Sequence, residues 1–147
     1  MSGVKPILII GRLEKVSFPD FGFINLDAKI DTGAYTAALH CHDIEVKKEN
    51  GENILHFKIL DPTHPEYNEQ DFRFTSFAEK NIKNSFGDFE RRYIIKTRIK
   101  IGRKIVKTSI SLSDRGNMRY PVLIGRKLLK KRFIVDVAES YILKKTS

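Results

Sequence analysis

Residues 30 to 36 read Ile-Asp-Thr-Gly-Ala-Tyr-Thr, so one carboxylate, Asp31, stands between an alternating apolar run and a Thr-Gly turn. A carboxylate there can accept backbone N–H groups and cap the turn, or move a proton as general acid or base. On residue types alone the capping role is the simpler one. Histidines form a second group. His40 and His42 flank Cys41, and strand alternation would put both rings on one face, half of a metal site that His56 and His64 could complete. A partly buried polar edge explains the same pair without a metal. The sequence holds no His-Glu-x-x-His and no glycine-rich loop ending in Lys-Ser or Lys-Thr, so zinc hydrolysis and ATP binding lack their ligand motifs.

Cations form the third group. The 27 Lys plus Arg exceed the 18 Asp plus Glu, for a formal charge of +9. That balance favours an anionic partner, whether nucleic acid, a membrane surface or an acidic polypeptide. Cationic residues recur from Arg91 to Lys107, near Tyr93 and Phe89 as stacking partners, and cluster at Arg126, Lys127, Lys130, Lys131 and Arg132. Such spacing could track phosphates, and an edge-protecting solvated surface would look the same.

The elements that must position these groups have mostly a period of two. Ile24, Leu26, Ala28 and Ile30 alternate with Asn25, Asp27 and Lys29, the pattern of a strand with one buried face. Ile95, Thr97, Ile99 and Ile101 alternate with Lys96, Arg98 and Lys100. After a Gly-Arg-Lys turn, Val106, Thr108, Ile110 and Leu112 continue opposite Lys107, Ser109 and Ser111, which predicts a hairpin. A second hairpin is expected over residues 43–60, turning at Asn50, Gly51 and Glu52. From Asp61 to Gly87 two prolines and many polar residues suggest a long mobile excursion. A short helix fits residues 125–132, with Leu128 and Leu129 inward, and Phe-Ile-Val-Asp-Val and Ser-Tyr-Ile-Leu give closing strands. Residues 1–147 are expected to form one domain, all-β and barrel-like or sandwich-like with one small helix, burying roughly 68–70% of the unfolded surface. The apolar run after Pro6 is too short for a signal-peptide core or a spanning helix, and Cys41 has no disulfide partner. A cytoplasmic protein with no membrane association is therefore expected.

Two segments together carry a resemblance. Ala-Lys-Ile-Asp-Thr-Gly-Ala (28–34) and Tyr-Pro-Val-Leu-Ile-Gly-Arg-Lys-Leu-Leu (120–129) resemble, in order, the two halves of the retropepsin-type aspartic protease motif. With residues 84–102 between them, the chain is similar over nearly its whole length to the bacterial family labelled ATP-dependent zinc protease. The resemblance implies a closed acid-protease-like β-barrel with one short C-terminal helix. It also implies peptide hydrolysis by water held between two carboxylates. At ~3 Å and an effective dielectric of ~20, two such groups repel by roughly 5.5 kcal/mol, about four pKa units, so such a pair shares one proton.

By this resemblance Asp31 is the catalytic carboxylate, Thr32 braces the loop through its hydroxyl, and Gly33 lets backbone approach without a Cβ. The motif occurs once, so the second carboxylate is expected from an identical copy in a homodimer. Asp114 is a poor alternative, with Arg115 where a small hydroxyl residue is needed. Substrate contacts are expected from Ala34, Tyr35, Ser85, Gly87, Arg92, Arg115 and Arg126. Retropepsins usually place an acid where Tyr35 stands, so Arg126 lacks the usual carboxylate partner. Thr36 is followed by Ala37 where the family often has serine. The substrate would be a peptide or, through the family's association with glutamate ligases of the ATP-grasp type, an acidic polypeptide; nucleic acid is the lesser expectation. Two further readings remain beside the aspartic peptidase: a non-catalytic binding module of the same fold, and the zinc protease of the family label. No cofactor is expected, since zinc rests on the label alone and ATP has no motif.

Overall fold

A computed structural model describes residues 6–83, 86–114 and 119–143. In chain order, the first strands are β1 (Leu8–Gly11), β2 (Leu13–Phe18), β3 (Phe23–Ile30), β4 (Ala37–Glu49), β5 (Glu52–Ile59) and β6 (Asp71–Phe74). They are followed by β7 (Ala78–Lys83), β8 (Phe89–Ile101), β9 (Lys104–Ser113), β10 (Val122–Ile124), the helix α1 (Arg126–Leu129) and β11 (Phe133–Asp136). The chain is thus nearly all β. Hydrogen-bonded neighbours follow the order β10, β3, β2, β8, β9, β4, and β10 also pairs with β4, so six strands close on themselves. This is the barrel expected from the retropepsin resemblance.

Contacts group the chain into two compact units. The first holds the residues up to Ala37, Thr97–Thr108 and those from Tyr120 on. Its centre is the antiparallel pair β2 and β3, extended by parallel β10, with Val122 opposite Ala28 and Ile124 opposite Ile30. Val16, Phe18, Leu26, Ala28 and Ile124 are buried, as the period of two requires. The expected phase fails at one point, however, since Ile24 is 58% exposed while Phe23 is buried. Val16 pairs with Leu26 and Phe18 with Phe23, so three steps on β3 face two on β2. The extra residue is a bulge at Asn25, whose φ of 54° is left-handed and whose N–H donates to Ser17 Oγ at 3.0 Å. A bulge exchanges the faces of every residue beyond it.

The C-terminal segment closes the first unit without forming the second strand expected there. Residues 140–143 are irregular, while β11 pairs in parallel with β1 from Leu8–Phe133 to Gly11–Asp136. A fully buried carboxylate explains how the segment is held. Glu14 accepts N–H groups from Gly11 at 2.7 Å and from Ile142 and Leu143 at 3.2 Å each. α1 is shorter than the 125–132 run suggested. Lys131 at φ 66° is left-handed, although Leu128 and Leu129 are buried as expected.

The second unit holds Ala38–Lys96 and Ser109 to Arg119. β4 and β5 form the predicted hairpin, with Asn50 and Gly51 at φ 50° and 81°, the two left-handed positions of a type I′ turn. The 61–87 region is not simply an excursion. β6 pairs with β5, Phe57 opposite Phe72, and β7 pairs with β8 from Ala78–Ile94 to Lys83–Phe89. Phe57 lies 5.8 and 5.7 Å, centroid to centroid, from Phe72 and Phe74. The half-buried Phe72 and Phe74 thus pack on the buried Phe57 ring and add side-chain contact to the backbone pairing of β6 with β5.

Candidate active site

β3 ends at Ile30, and the chain turns through Asp31 to Thr36 before β4 begins. The turn is fixed at several backbone points. Asp31 N–H donates to Ile124 O at 2.9 Å, and Ala34 N–H donates to Asp31 O at 3.2 Å. α1 supplies the next two. Its first N–H groups have no partner within the helix, and Arg126 and Lys127 donate theirs to Ala34 O and Tyr35 O at 2.8 and 2.9 Å. This approach needs Gly125, since a Cβ there would lie 2.6 Å from Tyr35 O.

Within this brace Asp31 is half-buried and Thr32 and Gly33 are exposed. Gly33 N–H donates to Asp31 Oδ1 at 3.0 Å, and a Cβ on Gly33 would stand 3.2 Å from the same oxygen. The capping role read from the residues is therefore present, on one carboxylate oxygen. Arg126 has found other partners than an acid. Its Nη1 donates to Thr32 O at 3.0 Å, and its guanidinium stands 5.8 Å from the centroid of the Tyr35 ring. The guanidinium is thus held by an aromatic face and a carbonyl rather than by a carboxylate. Beside the turn, Thr32, Tyr35, Arg126, Leu129, Lys130 and Phe133 line a depression of about 630 Å³.

Asp31, Thr32, Gly33, Ala34, Tyr35 and Arg126 are thus brought together in the first unit. Gly87 and Arg92 belong to the second, where Gly87, at φ 87°, lies in the turn joining β7 and β8. Arg92 is half-buried on β8, with Nη2 3.4 Å from Glu90 Oε2 and Nε buried without a partner. Ser85 and Arg115 lie outside the described residues. The sequence did not reveal the Ile124 carbonyl that holds Asp31, nor that Lys130 and Phe133 line the adjoining depression. Lys130 was visible only as one of a basic cluster.

A family model described as RimB-like, retropepsin-like aspartic endopeptidase RimB, matches residues 9–146. The chain belongs to the RimB-like family. This keeps the retropepsin-like part of the sequence reading, and the matched description carries no zinc. Two curated relatives are named probable alpha-L-glutamate ligase. The one from Shewanella halifaxensis is 32% identical over 139 residues, 92% of this chain and 30% of that protein. The one from Desulfotalea psychrophila is 31% identical over 130 residues, 88% of this chain and 28% of that protein. This RimB-like chain therefore spans about 30% of the length of the relatives it matches. Among solved structures, the crystal structure of Lpg0085, a protein of unknown function from Legionella pneumophila, is 28% identical with a TM-score of 0.67, covering 93% of this chain and 98% of that one.

A zinc centre needs three or four converging donor side chains. Among the described residues no three His, Cys, Asp or Glu side chains converge as ligands. The histidines are engaged elsewhere. Buried His40 has Nε2 2.6 Å from Asp61 Oδ2 and Nδ1 3.2 Å from Ser113 O, and buried His56 has Nδ1 2.8 Å from Asp71 Oδ2. His42 Nε2 is 3.4 Å from Asp43 Oδ1, and His64 Nδ1 accepts the Glu66 N–H at 3.0 Å. These residues do not fit a zinc centre. Burial, and secondarily the charge of Asp114, pushes the Cys41 thiol well above its ordinary value, which makes it a packed core residue and not a nucleophile.

Proposed function

We propose that this chain is a peptidase of the retropepsin-like aspartic type, working as a homodimer in which the Asp31 carboxylates of two copies meet, on an acidic polypeptide. The observation that carries the reading is the Asp31 turn itself. A chain of the RimB-like family presents a half-buried carboxylate with one oxygen engaged by Gly33 N–H, on a loop braced from β10 and α1. In the proposed reaction the ionised Asp31 of one copy takes a proton from water as the oxygen attacks the peptide carbon. The protonated Asp31 of the other copy gives its proton to the carbonyl oxygen, forming a gem-diol. As the C–N bond breaks, the carboxyl that took the water proton gives it to the leaving nitrogen, and the other carboxylate takes a gem-diol hydroxyl proton as the carbonyl re-forms, which restores the pair with one shared proton. The substrate class is supported by charge and by kinship. The chain carries +9, and the relatives are named ligases of L-glutamate, whose residues in a chain make an acidic polypeptide.

The test is cleavage of a glutamate-rich peptide by the wild type and by Asp31→Asn. The variant is expected to lose about 10²–10⁴-fold in rate, the span of general acid–base catalysis, with its thermal unfolding and dimer mass unchanged. Full activity in that variant would remove the assignment. EDTA is expected to leave the wild-type rate unchanged, and a rate lost to EDTA and restored by zinc would favour the metal reading instead. The cations beside Asp31 support a second reading, a binding module without hydrolysis. That module would retain glutamate-rich peptide in Asp31→Asn while the wild type leaves the peptide whole.

A further inference from the structure

A second depression, of about 600 Å³, lies in the same unit and shares no lining residue with the one beside Asp31. Arg103, Lys104, Lys107, Lys131 and Arg132 line it, and among the described residues no carboxylate does. Among the described residues none of these five takes part in an ion pair, whereas other surface cations are matched, Arg98 with Asp20, Lys15 with Asp27 and Arg73 with Glu49. Two of the five are ordered by neutral partners that leave their charge intact. Lys104 Nζ donates to Pro6 O at 2.7 Å and stands 5.9 Å over the Phe133 ring, and Arg132 Nη1 donates to Leu128 O at 3.2 Å. Each keeps further N–H donors for a ligand. Like charges gathered without a counter-ion repel, so an anion arriving there relieves a cost already present in the fold.

We infer that this depression is an exosite for an acidic polypeptide, gripping glutamates outside the segment held at Asp31. Its remaining lining is aliphatic, with Leu8, Val106 and a half-exposed Ile105. Glutamate brings two methylenes to such a surface and a carboxylate to its cationic rim. Among the described residues no aromatic ring lines the depression, so none of them offers the stacking platform that single-stranded nucleic acid uses. The two depressions share one wall. Along residues 126–135, Arg126, Lys130 and Phe133 line the first, and Lys131 and Arg132 line the second, the left-handed Lys131 marking the change of side. A chain of glutamates can cross that wall without leaving positive charge. The inference rests on the acidic substrate proposed above, and it adds a second point of attachment.

The experiment uses the full chain with Asp31→Asn, so that probes are not consumed, and fluorescein-labelled deca-L-glutamate and tri-L-glutamate read by anisotropy. An extended ten-residue chain reaches about 33–36 Å and a three-residue chain about 10 Å, so the long probe can lie along both depressions with residues to spare and the short one has little chain left once it is held at either. Arg103→Glu with Lys107→Glu is expected to weaken the long probe by about tenfold and the short one by less than about twofold. Arg103→Gln with Lys107→Gln is expected to fall between, and serves if charge reversal harms folding. Equal losses for both probes, or none, would overturn the exosite, as would an RNA decamer that binds more tightly than decaglutamate and loses its affinity on reversal. If the wild type cleaves nothing yet the length-dependent loss is seen, the exosite stands and the peptidase reading fails. Cleavage without that length dependence keeps the peptidase and removes the exosite.

Discussion

At the scale of single residues, Asp31 shows how a cap and a proton carrier can be the same side chain. Gly33 N–H takes Oδ1, and a carboxylate has accepting capacity beyond one such bond. Arg126 tests how much of the turn depends on charge and how much on shape. Arg126→Lys keeps the charge and loses the planar group that reaches Thr32 O and the Tyr35 ring. A loss of about 1–2 kcal/mol in urea unfolding is expected, with a drop in any cleavage rate larger than the unfolding accounts for. Gly125→Ala is the harsher change, because its Cβ meets backbone on Tyr35 and not a flexible tip. It should cost about 1–3 kcal/mol, and a variant as stable as the wild type would show that the α1 approach is looser than described. Asp31 and Gly33 could be picked out from sequence because their types announce their roles. Ile124 and Gly125 act through backbone brought from some ninety residues away, and no local pattern marks that.

At the scale of elements, legibility followed the regularity of the period. β8 alternates from Ile95 on, and Ile95, Thr97, Ile99 and Ile101 are all buried as read, whereas at the end of β9 Ser111, read as lying opposite the buried face, is buried beside Ile110 and Leu112. β3 misled at its start because one bulge at Asn25 changes phase, and a bulge leaves only an asparagine as its trace. β6 was hidden by its length of four residues, and β7 by polar residues whose place is set by pairing with β8. The Asp61 turn belongs here too. Thr63 donates to Asp61 through both N–H and hydroxyl, and His40 Nε2 reaches the other oxygen. Asp61→Ala would leave the buried His40 ring without that partner. A loss of about 1–3 kcal/mol is expected, read as a lower urea midpoint with an unchanged slope.

For the whole molecule, two carboxylates set the response to acid. Hydrogen bonds from Arg98 foremost hold Asp20 at about 2, and hydrogen bonds from Thr63 and then His40 hold Asp61 at about 2. Both lie below the ordinary value of 3.8, so their stabilisation is complete above about pH 4 and is lost as pH falls toward 2. The wild type should therefore lose thermal stability steeply between pH 4 and 2. Asp20→Asn with Asp61→Asn should start lower at neutral pH and fall less over that window. Parallel curves would show that other groups govern acid unfolding. At the alkaline end Tyr141 is pushed up to about 12 by burial and then by its bond to Asp27, so stability should decline above about pH 10.

The buried Glu14 has a practical consequence for anyone who shortens or labels this polypeptide. Cutting it after Ser140 would strip two of the three amide donors from a carboxylate that is sealed off from water. That buried group would then be left short of partners and would draw solvent inward, loosening β2 and, through it, the strand that delivers Asp31. Affinity handles and fusion partners should be joined beyond Leu143, so that the last two amides stay on their anchor.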